Sequence, residues 1–425
     1  MRLGVHLDAA GGRTAVVAGD EVRAGGVSPT PVSRGVPAAL RAALAAAPRD
    51  QVDSVTVATS WFSDVLATGD ELEPVAVLRL AHSDRSVFPP LSGWPEHLRG
   101  AVHVGSCVQP GGHDLSGRPL GAPDQEAVLR FARESAEAGA RGLAVTAVGA
   151  PMVADQEIAV AEVVHRRAPD LPVTLSHEVG GLGLLARENT TVLNAALRPA
   201  AERLADAVRA VVDEFLPGVP VLFGRHDAAL MNTEYLRRFP VAALAADVAA
   251  ALRGAGVLAG LDDAVVVEWD GSRGFAGRIE TGLPRRGNGF RNPRLSLPLP
   301  DLVASGADGA ALAAHVRAEP GPVVVLGELP DGLSDARRLA DGRWAAAVGA
   351  ATAQPAAEVD RVLVEPSSGG VDGAVDRVAE EALVRVISAG ARPDSARVDG
   401  IRTTPVAYLP GNVHRVQVRA SGVVQ

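Results

Sequence analysis

Apolar runs of strand length alternate with stretches of helical spacing along the whole chain. Residues 3–7, 14–18, 55–59 and 75–80 are short apolar runs with the length and composition of strands. Residues 37–47 have helical spacing, with proline at the first position, where its missing N–H costs nothing. The proline-rich FPPLSGWP (88–95) and the glycine-rich PGGHDLSG (110–117) mark loops. PDQEAVLRFARESAEAGA (123–140) predicts a helix with acidic residues in its first turn, where the helix dipole favours them. The strand GLAVTAVG (142–149), a helix over 154–167 and the strand PVTLS (172–176) follow.

A long helical segment spans roughly 188–216, and Pro199 predicts a break or bend in it because proline cannot donate its backbone hydrogen bond. A second alternation then runs through the strand VPVLFG (219–224), a helix over 247–258 and the strand AVVVEW (264–269). Residues 281–300 are rich in proline and glycine and read as an irregular cover. Beyond them come a helix (307–317), the strand PVVVLG (322–327), a small-residue helix (343–353), the strand RVLVE (361–365), a helix (371–389) and the strand HRVQVRA (414–420). No short-period repeat is evident. The pattern predicts an α/β protein of two similar lobes, residues 1–190 and 191–360, with residues 361–425 packing back on them.

Composition narrows the chemistry. A chain of 425 residues can bury a large core or two. Its net charge of -9 and pI near 5.6 exclude the dense positive stripe that nucleic-acid binding needs. All 41 basic residues are arginine, so a Walker A loop, a Schiff-base lysine and any lysine-dependent cofactor are excluded. The single Cys107 allows neither an internal disulfide nor a multi-cysteine zinc cluster, which fits a reducing cytoplasm. The start MRLGVHLDAA lacks the features of a signal peptide, and no apolar run approaches the roughly 20 residues that span a bilayer. We expect a cytoplasmic chain with no membrane and no nucleic-acid partner.

Several stretches, in order and spacing, resemble the A-type subunit of the hydantoinase/oxoprolinase family. The clearest is TLSHEVGGLGLLARENTTVLNAALRP (174–199). VPVLFGRHDAALM (219–231), RGAGVLAGLDDAVVVE (253–268) and the tail from AEEALVRVISAGARPDSA to PVAYLPGNVHRVQV (379–418) add to it. The resemblance implies the two-lobed actin-like, ribonuclease H-like ATPase fold with a central cleft. It also implies ATP and magnesium in that cleft, a small cyclic amide of the hydantoin or 5-oxoproline type as substrate, and a B-type partner subunit or a homo-oligomer.

The family's two phosphate loops read strand-DxGGTxTD. A carboxylate positions metal and water there, and the glycines let backbone N–H groups approach phosphate. In GVHLDAAGGRTAVV, sliding the pattern by two residues matches Asp8, Gly11 and Thr14, with Gly12 at the first threonine. The loop so recovered is partial and reads best as a hairpin turn. In VVVEWDGSRGFAG (265–277), Glu268 keeps the carboxylate, Gly271 one glycine and Ser272 a hydroxyl, while Asp270 stands where a phosphate oxygen would lie. The glycine triplets expected around the adenosine are replaced by LSLPLPDL (295–302) and VVVLGELPDG (323–332). These departures predict weak or absent ATP binding.

The remaining candidates are polar and scattered. His226 and Asp227 fall beside the implied cleft and could serve acid/base or metal chemistry; an ordinary solvated loop pair is the plainer reading. His177 and Glu178 match a His-Glu position of the family, with no second histidine at zinc-protease spacing. His113 sits in a glycine-rich loop, and Cys107 reads as a small buried filler. Two readings stand: an ATP-assisted hydrolase of cyclic amides acting through Asp8, Glu268, Asp227 and His226, or a non-catalytic scaffold or regulatory subunit.

Overall fold

The computed structural model describes residues 1–19, 21–82, 88–287, 293–305, 308–364, 372–406 and 413–424. The first sheet has six strands in the order Leu230–Asn232, Val221–Gly224, Ser54–Thr59, Arg2–Asp8, Gly11–Ala18 and Glu21–Ser28. Its centre is fully buried at Leu3, Val5, Leu7, Val55 and Val57, which explains why these strands read as continuous apolar runs. Residues 221–232 join this sheet, so it draws on both sides of the lobe boundary expected at 190/191. The second sheet is built on the hairpin Ala264–Trp269 and Gly274–Glu280, with Val323–Gly327 pairing in parallel to the first of these strands.

Two small-residue helices, Ala246–Ala259 and Ala345–Thr352, pack against each other and lie between these sheets. Their contact is backbone to backbone. A Cβ added at Gly254 would lie 1.7 Å from the Ala345 carbonyl oxygen, and one at Gly349 would lie 1.9 Å from that of Ala250. Gly4 does the same for the sheet: a Cβ there would lie 1.9 Å from Ala347 O. Every residue from Ala345 to Ala351 is buried, because both faces of that helix are covered.

A four-stranded parallel sheet, ordered His103–Pro110, Val75–Ala81, Gly142–Ala147 and Val173–Leu175, packs against Gln125–Glu137, Asp155–Arg167 and the 32-residue helix Leu184–Phe215. Of the break or bend expected at Pro199, no break occurs: the helix runs through it as one element. Burial of Leu193, Ala196, Leu197, Ala200 and Ala201 around the proline outweighs the one lost hydrogen bond. Strands Ala356–Val364, Val413–Ser421 and Arg397–Pro405 form a separate antiparallel sheet under the helix Asp372–Ser388. Part of the tail PVAYLPGNVHRVQV, residues 407–412, lies outside the described residues. Cys107 is half-buried on a strand rather than filling the core, and Gln109 Nε2 lies 3.5 Å from its sulfur.

In an exposed helix interior, alanine is about 1 kcal/mol better than glycine. At Gly254 the sign should reverse, because overpacking against a carbonyl costs about 1–3 kcal/mol or more. Gly254→Ala is therefore expected to lower the urea midpoint, whereas Gly373→Ala, whose Cβ meets nothing within 4 Å, should leave it unchanged or raise it. Equal midpoints for the two variants would show that the helices do not touch as described.

Candidate functional site

The hairpin that resembles the first phosphate loop turns through Ala9 and Ala10, with Asp8 paired to Gly11 across the strands. Asp8 closes the turn on itself: Oδ1 accepts from the Ala10 N–H at 2.8 Å, and Oδ2 accepts from Arg13 Nη1 at 2.7 Å. Gly11 has φ +125°, and a Cβ there would strike the Ser28 carbonyl at 2.2 Å; one on Gly12 would lie 2.8 Å from Ala43 Cβ. Thr14 is fully buried, and its hydroxyl accepts from the Gly26 N–H at 2.9 Å. Packing alone thus accounts for both glycines and for the threonine.

The second hairpin has the same device. Asp270 Oδ1 accepts from the Ser272 N–H at 2.9 Å, the Ser272 hydroxyl at 2.8 Å and the Arg273 N–H at 2.9 Å. These bonds hold the Asp270 carboxyl down at about 2. Gly271 has φ +92°, and a Cβ there would meet the Glu328 carboxylate at 2.7 Å. In both turns an aspartate accepts from turn N–H groups, one at Asp8 and two at Asp270.

Asp8 and Glu268 are close enough for their charges to act on each other, and Asp247, from the first turn of Ala246–Ala259, joins them. Burial, then Asp247 and Asp8, push the Glu268 carboxyl up to about 7. Burial, with Asp64 and Asp8 beyond its own helix, raises Asp247 to about 6 despite two backbone hydrogen bonds that pull it down. Burial would also raise Asp8, but His6, Arg13 and the Ala10 N–H bring it below the usual carboxylate range. His6, buried and beside Arg13, is lowered to about 4 although Asp8 opposes this. The acidic centre meets only Arg13 as a counter-charge in these interactions, and Asp247 Oδ1 has no hydrogen-bond partner.

His226 and Asp227 are not part of this cluster, and they are buried rather than solvated. The chain beyond Val221–Gly224 folds under Pro240–Ala243 and Ala356, which covers most of both side chains. His226 Nδ1 lies 3.0 Å from the Ala242 carbonyl, while Asp227 accepts from Arg225 Nη2 at 3.0 Å and from the Ala229 N–H at 3.2 Å. Burial lowers His226 to about 4, and Arg225 keeps Asp227 far below the usual range against the opposing effect of burial. Both residues line a cavity of about 940 Å³ to which neither hairpin contributes.

The wall of that cavity at 178–189 is set by a buried polar network. Arg79 donates Nε and Nη2 to Glu188, both at 2.7 Å, with both side chains fully buried. Glu157 accepts from the Ala147 N–H, the Ser176 hydroxyl and the His177 N–H, and its Oε2 lies 2.7 Å from His177 Nδ1. Arg187 donates to Ser176 Oγ and to the carbonyls of Ala147, Gly181 and Leu182. His177 and Glu178 therefore begin a wall held from behind. His113 is buried with its Nδ1 unpartnered and Nε2 3.4 Å from Asp155. Asp247, Arg225 and Glu157 were not singled out from the sequence; a lone acid in the alanine-rich AADVAAAL (245–252) was the available signal for Asp247.

No family model and no curated protein matches the sequence. Among solved structures, the chain is similar to a nucleotide-free acetone carboxylase from a study of ATP-dependent acetone carboxylation. The identity is 12% and the TM-score 0.67, over 100% of this chain and 88% of that one. It is also similar to the ATP-dependent caprolactamase from Pseudomonas jessenii, with 14% identity and a TM-score of 0.74, over 98% of this chain and 87% of that one. The α/β two-lobed actin-like fold implied by the resemblance is thus the fold found. Among the described residues, no helix is long and apolar enough to cross a membrane, and no group of three or more His, Cys, Asp and Glu is placed to hold a metal ion.

Glu268 and Asp247 bind protons more readily in the folded than in the unfolded chain, so stability falls as pH rises through about 6 to 7. His6 and His226 act oppositely at lower pH, adding stability between about 4 and 6.5. Glu268→Gln should therefore flatten the alkaline limb and stabilise the chain at pH 8 by on the order of 1–2 kcal/mol, with little effect near pH 5. Parallel melting-temperature profiles of the variant and the parent would remove this cluster as the cause.

Proposed function

We propose that this chain is a hydantoinase/oxoprolinase-type protein that works without ATP, as a non-catalytic subunit of a B-type partner. The observation that carries this reading is that both hairpins are closed by their own aspartates, Asp8 and Asp270. Gly11, Gly12, Thr14, Gly271 and Ser272, the residues aligned with phosphate contacts, are engaged in packing or in the turn itself. Magnesium fits no better: Asp8 is committed to Arg13, and Glu268, raised to about 7, is substantially protonated at neutral pH. The set does not suit ATP and magnesium. We place the chain in the reducing interior of the cell.

The second reading is an ATP-assisted hydrolase of cyclic amides. It is favoured by the likeness to two ATP-dependent enzymes over nearly the entire chain. In that reading Asp8 and Glu268 would serve the nucleotide, and His226 and Asp227 the amide.

Thermal shift with Mg-ATP separates the two, because a ligand that binds only the folded state raises the melting temperature by roughly RT ln(1 + [L]/Kd) in stability. No concentration-dependent rise is expected up to about 5 mM nucleotide, where the caprolactamase as positive control should respond. A saturable rise lost in Glu268→Ala would overturn the ATP-independent reading. Co-elution with a B-type hydantoinase subunit on size exclusion is expected, and separate peaks would overturn the subunit assignment.

A further inference from the structure

The cavity of about 940 Å³ lies between residues 178–189, residues 286–287 and 294–298, and the three-stranded C-terminal sheet. It has the size of a small-molecule site. Its lining combines apolar side chains, among them Val179, Leu184, Phe239, Val241, Leu295 and Leu297, with six arginines.

The ion pairs of those arginines do not balance. Arg225 pairs with Asp227, Arg286 with Glu358, and Arg415 with Asp360. Arg361 and Arg385 share one carboxylate oxygen, Glu381 Oε1. Arg294, which is exposed, has no acidic partner among the described residues, and Glu178 is engaged by Arg238 outside the cavity. Among the described residues two guanidinium charges are left over, in a chain whose net charge is -9. The Arg361 and Arg385 heads are fixed as well: each has an Nη1 contact to a carbonyl of the 177–178 turn, at 3.5 Å to His177 and 3.4 Å to Glu178.

His226 supplies the other polarity. A carbonyl can only accept, so the contact to Ala242 O places the ring proton on Nδ1 and the lone pair on Nε2. His226 is only 5% exposed and lines the cavity, where Nε2 has no hydrogen-bond partner and is not sealed in the core.

We propose that this cavity binds a small organic carboxylate that also carries an N–H or O–H donor. The carboxylate faces the arginines, the donor meets His226 Nε2, and the apolar remainder packs on Val241 and Leu295. A planar, bidentate guanidinium fork suits a carboxylate. The apolar lining of the cavity would stay uncovered by inorganic phosphate. The site stands whether or not the hairpins bind nucleotide, since none of their residues lines it.

Isothermal titration of the full chain with N-acetylglycine, N-acetyl-L-leucine and N-acetyl-L-phenylalanine tests this. At least one is expected to bind saturably below about 1 mM, with N-acetyl-L-leucinamide and inorganic phosphate weaker by roughly tenfold or more. For the best ligand, its N-methyl analogue should lose a similar factor. Arg294→Ala, at an exposed side chain that leaves folding intact, should weaken binding about tenfold. His226→Phe should remove the preference for the N–H form over the N-methyl form. Absence of binding by all three acids, equal binding of phosphate, or affinity indifferent to both variants would overturn the proposal.

Discussion

Backbone touching backbone at Gly254 and Gly349 is the contact from which the rest of the arrangement follows. Without side chains at these positions, helices Ala246–Ala259 and Ala345–Thr352 approach until carbonyls occupy the space of a Cβ. Interiors are close-packed and do not yield, so this approach fixes how near the two sheets come. The acidic centre is a result of that nearness. Asp247 sits in the first turn of one of these helices, and Asp8 and Glu268 end strands of the sheets on either side. Three carboxyl groups are thus held together by a packing decision made elsewhere, and the raised values at Asp247 and Glu268 measure what that decision costs.

A second constraint acts on the cavity. The Arg79–Glu188 pair is fully buried, and so weakly informative about net stability, because desolvating two charges consumes most of their attraction. Its effect is geometric. Glu188 lies on the long helix and Arg79 on the parallel sheet, so the bidentate bond fixes the rotation of the helix start against that sheet. Glu157 and Arg187 then tie the turn at 176–182 to Ala147 on the same sheet. A segment with three glycines at 180, 181 and 183 becomes one definite wall, and Arg361 and Arg385 meet its carbonyls from the opposite side.

The alternation of elements was legible because burial on both faces leaves an apolar run that needs no partner to be recognised, as at residues 55–59 and 264–269. The strand Glu21–Ser28 and the edge strand Arg397–Pro405 carry no such run, since exposed edges place no demand on hydrophobicity. Pro199 does not break its helix, because the loss of one hydrogen bond is outweighed by packing along the helix's length. At the candidate site, the partial phosphate motifs were visible, but not the hydrogen bonds that close the two turns. That Asp8 would bond Ala10, or Asp270 the Ser272 and Arg273 amides, depends on turn geometry. The arginine surplus was hidden altogether, because its members come from positions as distant as 225, 294 and 415 and meet only in the fold.

A retained glycine in a loop that resembles a phosphate cradle is not by itself a mark of nucleotide binding, because packing alone can require it. Gly11 meets the Ser28 carbonyl, and Gly12 meets Ala43, so the hairpin needs both residues to lie flat on its neighbours whatever occupies the cleft. The turn amides raise a separate requirement, since backbone donors must find an acceptor in any folded state. A nucleotide would satisfy them intermittently; an aspartate within the turn satisfies them permanently. Once Asp8 and Asp270 perform that role, the hairpins keep their shape without a ligand, and the surrounding acids are under no electrostatic obligation to admit one. Shape and chemistry separate at these two residues: the sheets demand the strand-turn-strand form, while the choice of anion at the turn decides whether a phosphate can follow.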